Sequence, residues 1–196
     1  MADVLGRWTL VVLVMLGAVP LAAASYQFAT IGMHAFRNHY DKVAPRFPRV
    51  AILIPAWNEA AVIGMSIDRL LELDYPPDRL RLYVVDDAST DKTPDVVIAK
   101  GKENPGRVLH LRRDKGGEGK AHTLNHGLVQ ILADDWMEAL LIMDADVVYE
   151  PNSLRKMTRH FADPEVGAVT AYIKEGSRPP NWMKRFVGYE YITAQA

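Results

Sequence analysis

Asp144 and Asp146 close an apolar run, "ALLIMDADVVYEP" from 139 to 151, and set two carboxylates one residue apart. Unpaired charge is costly to bury, so such a pair must meet water, a cation or a positive partner. Carboxylate oxygens are hard donors that suit Mg²⁺ or Mn²⁺, and Mg²⁺ commonly takes one or two protein carboxylates while phosphate oxygens fill other positions. Residues two apart on a strand point the same way, so a strand persisting through Asp146 would aim both side chains at one ion. Two more polar clusters follow apolar runs, Asn58 and Glu59 after "VAILIPA" and Asp86 and Asp87 after "LRLYVV". Lys120 follows the basic, glycine-rich "LRRDKGGEG" at the start of a predicted helix, where the helix end and a lysine both favour an anion. Any one of these acids alone is also what a turn or a helix cap would use. Together they point to a site that handles a metal and a phosphate.

Other chemistries are excluded by what surrounds these residues. There is no cysteine, hence no disulfide, thiolate zinc site or cysteine nucleophile. The loop before Lys120 fails as a P-loop, with Asp114 where glycine is required and Ala121 where Ser or Thr is required. His122 and His126 are four apart on the predicted helix, but Thr123 replaces the glutamate of a zinc-hydrolase HExxH motif. No nucleophile elbow is present. Arg112, Arg113 and Lys115 read as a solvated basic loop, and a net charge of -1 gives no reason to expect nucleic acid.

The elements that must position these residues alternate. Val50 to Ile54 reads as a buried strand, and Ile63, Ile67, Leu70 and Leu71 recur at helical spacing before Pro76 and Pro77. "LRLYVVDD" is a second strand, and Thr93 with Pro94 predicts an N-cap and first turn for a helix reaching about Lys102. Val108 to Leu111 is a third strand. Ala121, Leu124, Leu128, Ile131 and Leu132 mark a third helix, Ala139 to Met143 a fourth strand, Leu154, Met157 and Phe161 a short helix, and "VGAVTAY" a fifth strand. This order predicts an α/β fold, a mostly parallel sheet with flanking helices and functional residues just past the carboxyl ends of the strands. Trp182, Phe186 and Tyr189 beside Lys184 and Arg185 fit either an interfacial helix or a core helix.

From Trp8 to Phe36 there is no Asp, Glu, Lys or Arg, enough for a transmembrane helix of about 20 residues. Arg7 precedes it, whereas Arg37, Lys42, Arg46 and Arg49 follow, which predicts a single pass with the rest of the chain in the cytoplasm. The competing reading is a cleaved leader ending at Ala22-Ala23-Ala24-Ser25. Apolar residues continue past Ser25, so the anchor is the expectation, with Pro20 a candidate kink. The expected domains are a membrane anchor over 1–37, a basic juxtamembrane linker over 38–48 and an α/β domain over 49–196.

"IPAWNEA", "VVDDASTDKT", "GKAHTLNHGL" and "MDADVVYEP", in that order, resemble the family 2 inverting glycosyltransferases of the GT-A fold, a Rossmann-like mostly parallel sheet. With the apolar N-terminal segment the chain is most similar to the membrane-bound processive branch, which includes the poly-N-acetylglucosamine, chitin, hyaluronan and cellulose synthases. The resemblance implies a UDP-sugar donor, UDP-GlcNAc or UDP-Glc, a glycan or lipid-linked acceptor, and Mg²⁺ or Mn²⁺. By position it implies that Pro55, Ala56, Asn58 and Glu59 shape the nucleotide pocket and that Asp87, with Asp86 beside it, addresses uracil. Lys120 would meet the nucleotide or its diphosphate, and Asp144 and Asp146 would form the DxD metal motif.

The family's third acid, in a "TED"-like motif, and the QxxRW motif of processive members have no counterpart in this sequence, so no catalytic base is assigned. The expectation is a chain carrying the donor-binding half. Two rivals share fragments of the pattern: "LLIMDADVV" also fits the signature of haloacid-dehalogenase-like phosphatases, and "VVDD" with a later strand-end Asp fits response-regulator receivers. Neither accounts for "IPAWNEA". A non-catalytic nucleotide-sugar-binding fragment is the third alternative.

Overall fold

The computed structural model describes residues 2–36 and 41–171, which belong to two compact units, Met1–Lys42 and Val43–Ala196. In the first unit one helix, α1 (Ala2–Ala35), runs without interruption through Pro20. Its stretch Gly6–Met33 is long and apolar enough to cross a membrane. Within it the hydroxyls of Ser25 and Thr30 donate to the carbonyls of Leu21 and Tyr26, each at 2.8 Å. Such back-bonding satisfies each hydroxyl within its own helix.

Among its described residues the second unit has four strands, β1 (Val50–Ala56), β2 (Leu80–Asp86), β3 (Val108–Arg112) and β4 (Ala139–Ile142). They pair in the order β3-β2-β1-β4, and every pair is parallel. The helices between them are α2 (Ile63–Leu71), α3 (Thr93–Glu103) and α4 (Lys120–Ala133), and α5 (Ser153–Thr158) follows β4. The two faces of β1 divide the core. Val50, Ile52 and Ile54 pack with Ile63, Ile67 and Leu70 of α2 and Val97 of α3, while Ala51 and Leu53 pack with Ile131 of α4. A central strand covered on both faces is apolar at consecutive positions, which is why "VAILI" shows no alternation.

Several expectations are corrected in detail. The packing face of α4 is Thr123, Gly127 and Ile131, with Leu124 and Leu128 partly buried; Ala121 and Leu132 face outward. Thr93 is not the N-cap of α3 but its first residue. Its hydroxyl accepts from the Glu59 N–H at 2.8 Å and its own N–H donates to Asp91 Oδ1 at 2.9 Å, so it ties two loops together instead of capping. Residues 166–171 form no strand. Val166, Gly167, Ala168 and Val169 line a cavity of 590 Å³ beside the start of β4, so the apolar residues there face a void and not a ladder. Tyr172 and the stretch Trp182 to Tyr191 lie outside the described residues. Part of the expected linker is bound to the second unit: Arg46 donates to the Phe161 carbonyl and Arg79 to that of Phe47, both at 2.6 Å.

Gly127 is where α4 comes closest to the sheet, since a Cβ there would stand 2.5 Å from Leu53 Cδ1 and 2.6 Å from Val85 Cγ2. Gly127→Ala raises helix propensity by about 1 kcal/mol, but overpacking a close-packed core costs about 1–3 kcal/mol. Chemical denaturation of the full chain is expected to show a lower midpoint for this variant, by the equivalent of about 1 kcal/mol or more.

Candidate functional site

In a parallel sheet all carboxyl ends share one edge, and a crevice opens where successive strands are added on opposite sides. Here β2 and β3 extend the sheet on one side of β1 and β4 on the other, so the reversal lies between β1 and β4. Above those two strand ends is a cleft of 500 Å³. It is lined by Pro55, Ala56, Trp57 and Glu59 after β1, Asp87 after β2, Gly117, Gly119, Lys120 and Thr123 at the start of α4, and Asp144, Ala145 and Asp146 after β4. The larger cavity beside the start of β4 gathers none of the sequence-predicted residues.

Asp144 and Asp146 reach this cleft by a different route from the one expected. The strand ends at Ile142, and a turn in which the Val147 N–H donates to the Asp144 carbonyl at 3.2 Å carries the two acids. Both are exposed, while Met143 and Ala145 between and before them are buried. The Ala145 carbonyl accepts from the Ser66 hydroxyl of α2, which fixes the turn to the core. Lys120, first residue of α4, pairs with Asp144 across the cleft.

The ends of β2 and β3 form a double ion pair. Asp86 and Arg112 are register partners, and Arg112 Nη1 donates to Asp86 Oδ2 at 2.6 Å. Asp86 is wholly buried, and its other oxygen accepts the Ser89 N–H at 2.8 Å. It therefore braces the loop below the cleft and does not line it. The next residue on each strand repeats the arrangement on the cleft side: Arg113 pairs with Asp87 and with Glu118. Arg113 is thus a buried structural partner and not part of the solvated basic loop expected; Arg112, 46% exposed, pairs with Asp86, and Lys115, 81% exposed, stands 3.6 Å from Glu118. Burial by itself pushes the Asp87 carboxyl up, but hydrogen bonds from the Gly117 N–H, Arg113 and Thr123 outweigh it and hold the group below the usual carboxylate range.

Asn58 also stands behind the cleft wall. Its Oδ1 accepts the Thr90 N–H at 2.9 Å, and its own N–H donates to the Ser89 hydroxyl at 3.0 Å. Asn58 and Ala88, just past the ends of β1 and β2, both adopt the left-handed conformation with φ of 55°. Strain of this kind gathers where surrounding structure fixes a functional loop. The glycine-rich loop closes the remaining side. A Cβ on Gly116 would stand 2.2 Å from the Asp87 carbonyl oxygen, so only glycine permits this approach. His122 and His126 do not line the cleft, and among the described residues no group of three or more His, Cys, Asp or Glu could hold a metal. Sequence reasoning missed Trp57, Thr123 and the role of Arg113. The exposed aromatic in "PAWNE" and the paired "DD" and "RR" are the signals that could have found them.

A family profile described as "Glycosyl transferase family 2" matches residues 51–195. Beta-monoglucosyldiacylglycerol synthase of Synechocystis sp. is 34% identical over 145 residues, 74% of this chain and 29% of that protein. An N-acetylglucosaminyltransferase of Rhizobium sp. is 25% identical over 174 residues, 83% of this chain and 37% of that protein. The chain spans about a third of the length of these curated relatives. Among solved structures, the mannosyltransferase PcManGT from Pyrobaculum calidifontis, in complex with GDP-Man and Mn²⁺, superposes with a TM-score of 0.59 at 32% identity, covering 81% of this chain and 47% of that one.

A depressed carboxyl binds its proton more readily in the unfolded chain, so the stability that Asp87 contributes is complete above about pH 4, its unfolded value, and is lost as pH falls through its lower folded value. Unfolding followed by tryptophan fluorescence should therefore show no contribution from Asp87 to any change in stability between pH 5 and 8. Its share of the loss should appear only at more acid pH, and Asp87→Asn should remove that share.

Proposed function

The chain belongs to glycosyl transferase family 2, and from that premise we propose that the cleft between β1 and β4 binds a nucleotide-diphosphate sugar, a UDP-sugar such as UDP-GlcNAc or UDP-Glc, for inverting transfer to a glycan or lipid-linked acceptor. One observation carries this reading: Asp87, Lys120, Asp144 and Asp146, drawn from two strand ends and one helix start, line a single cleft at the reversal of strand order. The family match over residues 51–195 displaces the phosphatase and receiver alternatives.

Each wall of the cleft suits one part of such a donor. Trp57 is 62% exposed in the cleft wall, a face on which a base can stack for about 1–3 kcal/mol. Asp87, an acceptor held in its ionised form, suits the ring N–H of uracil. The diphosphate then lies toward Lys120 and the N-terminus of α4, where unpaired N–H groups and the helix dipole favour anions. Asp144 and Asp146 supply exposed oxygen donors and fit Mg²⁺ or Mn²⁺, with the donor's phosphate oxygens completing the ion's shell. Such an ion, when bound, neutralises charge on the diphosphate. In its absence Lys120 already neutralises Asp144, and the lysine can turn to the phosphates when they arrive.

Transfer breaks the bond between the sugar's anomeric carbon and the diphosphate oxygen while the acceptor hydroxyl oxygen bonds to the opposite face of that carbon and gives up its proton to a base, a role assigned to none of the cleft residues. Negative charge grows on the leaving oxygen. A lysine and a helix terminus placed in advance stabilise that charge without reorganisation at the moment of reaction. The apolar helix α1 supports a membrane location, and the basic residues after it support a single pass with the second unit on the cytoplasmic side. The name of the Synechocystis relative, a synthase of a glucosylated diacylglycerol, supports a lipid among the possible acceptors.

Calorimetric titration of the full chain with UDP, with and without Mn²⁺, tests the assignment. UDP binding is expected to tighten with Mn²⁺, and Asp146→Ala should abolish that metal-dependent gain. An Asp146→Ala chain with unchanged Mn²⁺ dependence would overturn the donor-site reading.

A further inference from the structure

An ionised carboxylate accepts hydrogen bonds at about four lone-pair positions. On Asp87 one oxygen receives Arg113 Nη1 and the other receives the Gly117 N–H at 3.2 Å. Each oxygen therefore keeps one further acceptor direction on this cleft-lining residue, and the one on Oδ2 is the direction that a second Arg113 arm would cover. What keeps that direction open is the way Arg113 is held. A guanidinium facing a carboxylate tends to engage it with two parallel N–H bonds, covering both oxygens. Arg113 does not, because its Nη1 goes to Asp87 while its Nη2 goes to Glu118. Glu118 is itself fixed: its hydrogen bond with Arg113 first, and then the charge of Lys115, hold its carboxyl below the usual range, so it is anionic at neutral pH. Its other oxygen lies 3.6 Å from Lys115 Nζ. Glu118 does not line the cleft, although Gly117 and Gly119 on either side of it do.

We infer that Glu118 is a positioning residue for recognition of the donor's base: it draws one arm of Arg113 away from Asp87 and so leaves the second acceptor direction of Asp87 Oδ2 open to the cleft. The inference rests on the nucleotide-donor reading and adds to it a source of base selectivity that touches no part of the ligand. A base with a ring N–H at its pairing edge, N3–H of uracil or N1–H of guanine, meets the open acceptor. Cytosine and adenine carry an unprotonated, electron-rich nitrogen at that edge and are repelled. Without Glu118, the second arm of Arg113 turns onto Asp87, the fork closes, and the acceptor is covered.

The test uses the full chain and calorimetric titration with UDP and with CDP in the presence of Mn²⁺. The wild-type chain is expected to prefer UDP. Glu118→Ala should lower the UDP-over-CDP preference by about tenfold, the scale of one hydrogen bond to a charged group. Combining Glu118→Ala with Arg113→Lys should restore much of that preference, because a lysine has no second arm with which to cover Asp87. A merely structural role for Glu118 does not produce this rescue, and the Glu118 side chain is 39% exposed on a loop, so thermal melting should move little. Retention of the full UDP preference by Glu118→Ala, or a double variant no better than the single one, overturns the inference while leaving the donor site standing. A wild-type chain that binds UDP no better than CDP overturns the base-reading role of Asp87, and the inference with it.

Discussion

The site depends on one electrostatic constraint: two adjacent parallel strands end in register at Asp86 and Arg112, and each is followed by a second residue of the same charge, Asp87 and Arg113. A carboxylate with no exposed surface, as at Asp86, is tolerated only when a cation and hydrogen-bond donors surround it, since breaking such a buried pair leaves an uncompensated charge. Arg112 and the Ser89 N–H meet that need. The pair just past the strand ends, Asp87 with Arg113, lies toward the start of α4, and Asp87 lines the cleft. The same pairing thus serves two ends. One half holds the loop after β2 in place, and the other presents a charged acceptor at the wall of the cleft.

Topology supplies the space. A strand added on the far side of β1 leaves β1 and β4 with connections that leave in opposite directions, and a gap opens above their carboxyl ends. Residues from distant parts of the chain meet there without any need for loop flexibility. Asn58 and Ala88, both at φ of 55°, show the backbone cost of the arrangement. That cost is offset by the net of hydrogen bonds joining residues 58–60 to residues 89–93.

Close approach of α4 completes the site. The helix can deliver Lys120 and Thr123 to the cleft because Gly127 lets it settle on Leu53 and Val85, and because Gly116 lets the preceding loop touch the backbone of Asp87. Family membership follows from the sequence match, whereas the arrangement of charges around Asp87 belongs to the tertiary structure.

Local pattern alone determined a good deal. Apolar runs and helical spacing in this chain mark all four strands and the helices α2 to α5 of the second unit, and strand-end acids mark the edge on which the cleft lies. Those features are legible because burial periodicity and helix-breaking residues act over a few positions. The tertiary structure decided the rest: that Asp87 and not Asp86 faces the cleft, that a turn and not strand alternation aims Asp144 and Asp146, that Arg113 is a buried partner, and that residues 166–171 pair with no strand. Each of these depends on a neighbour far away in the chain, such as Asp87 for Arg113 at a separation of 26 residues or Ala145 for Ser66 at 79. Strand order and register bring such neighbours together, and no short-range pattern encodes them.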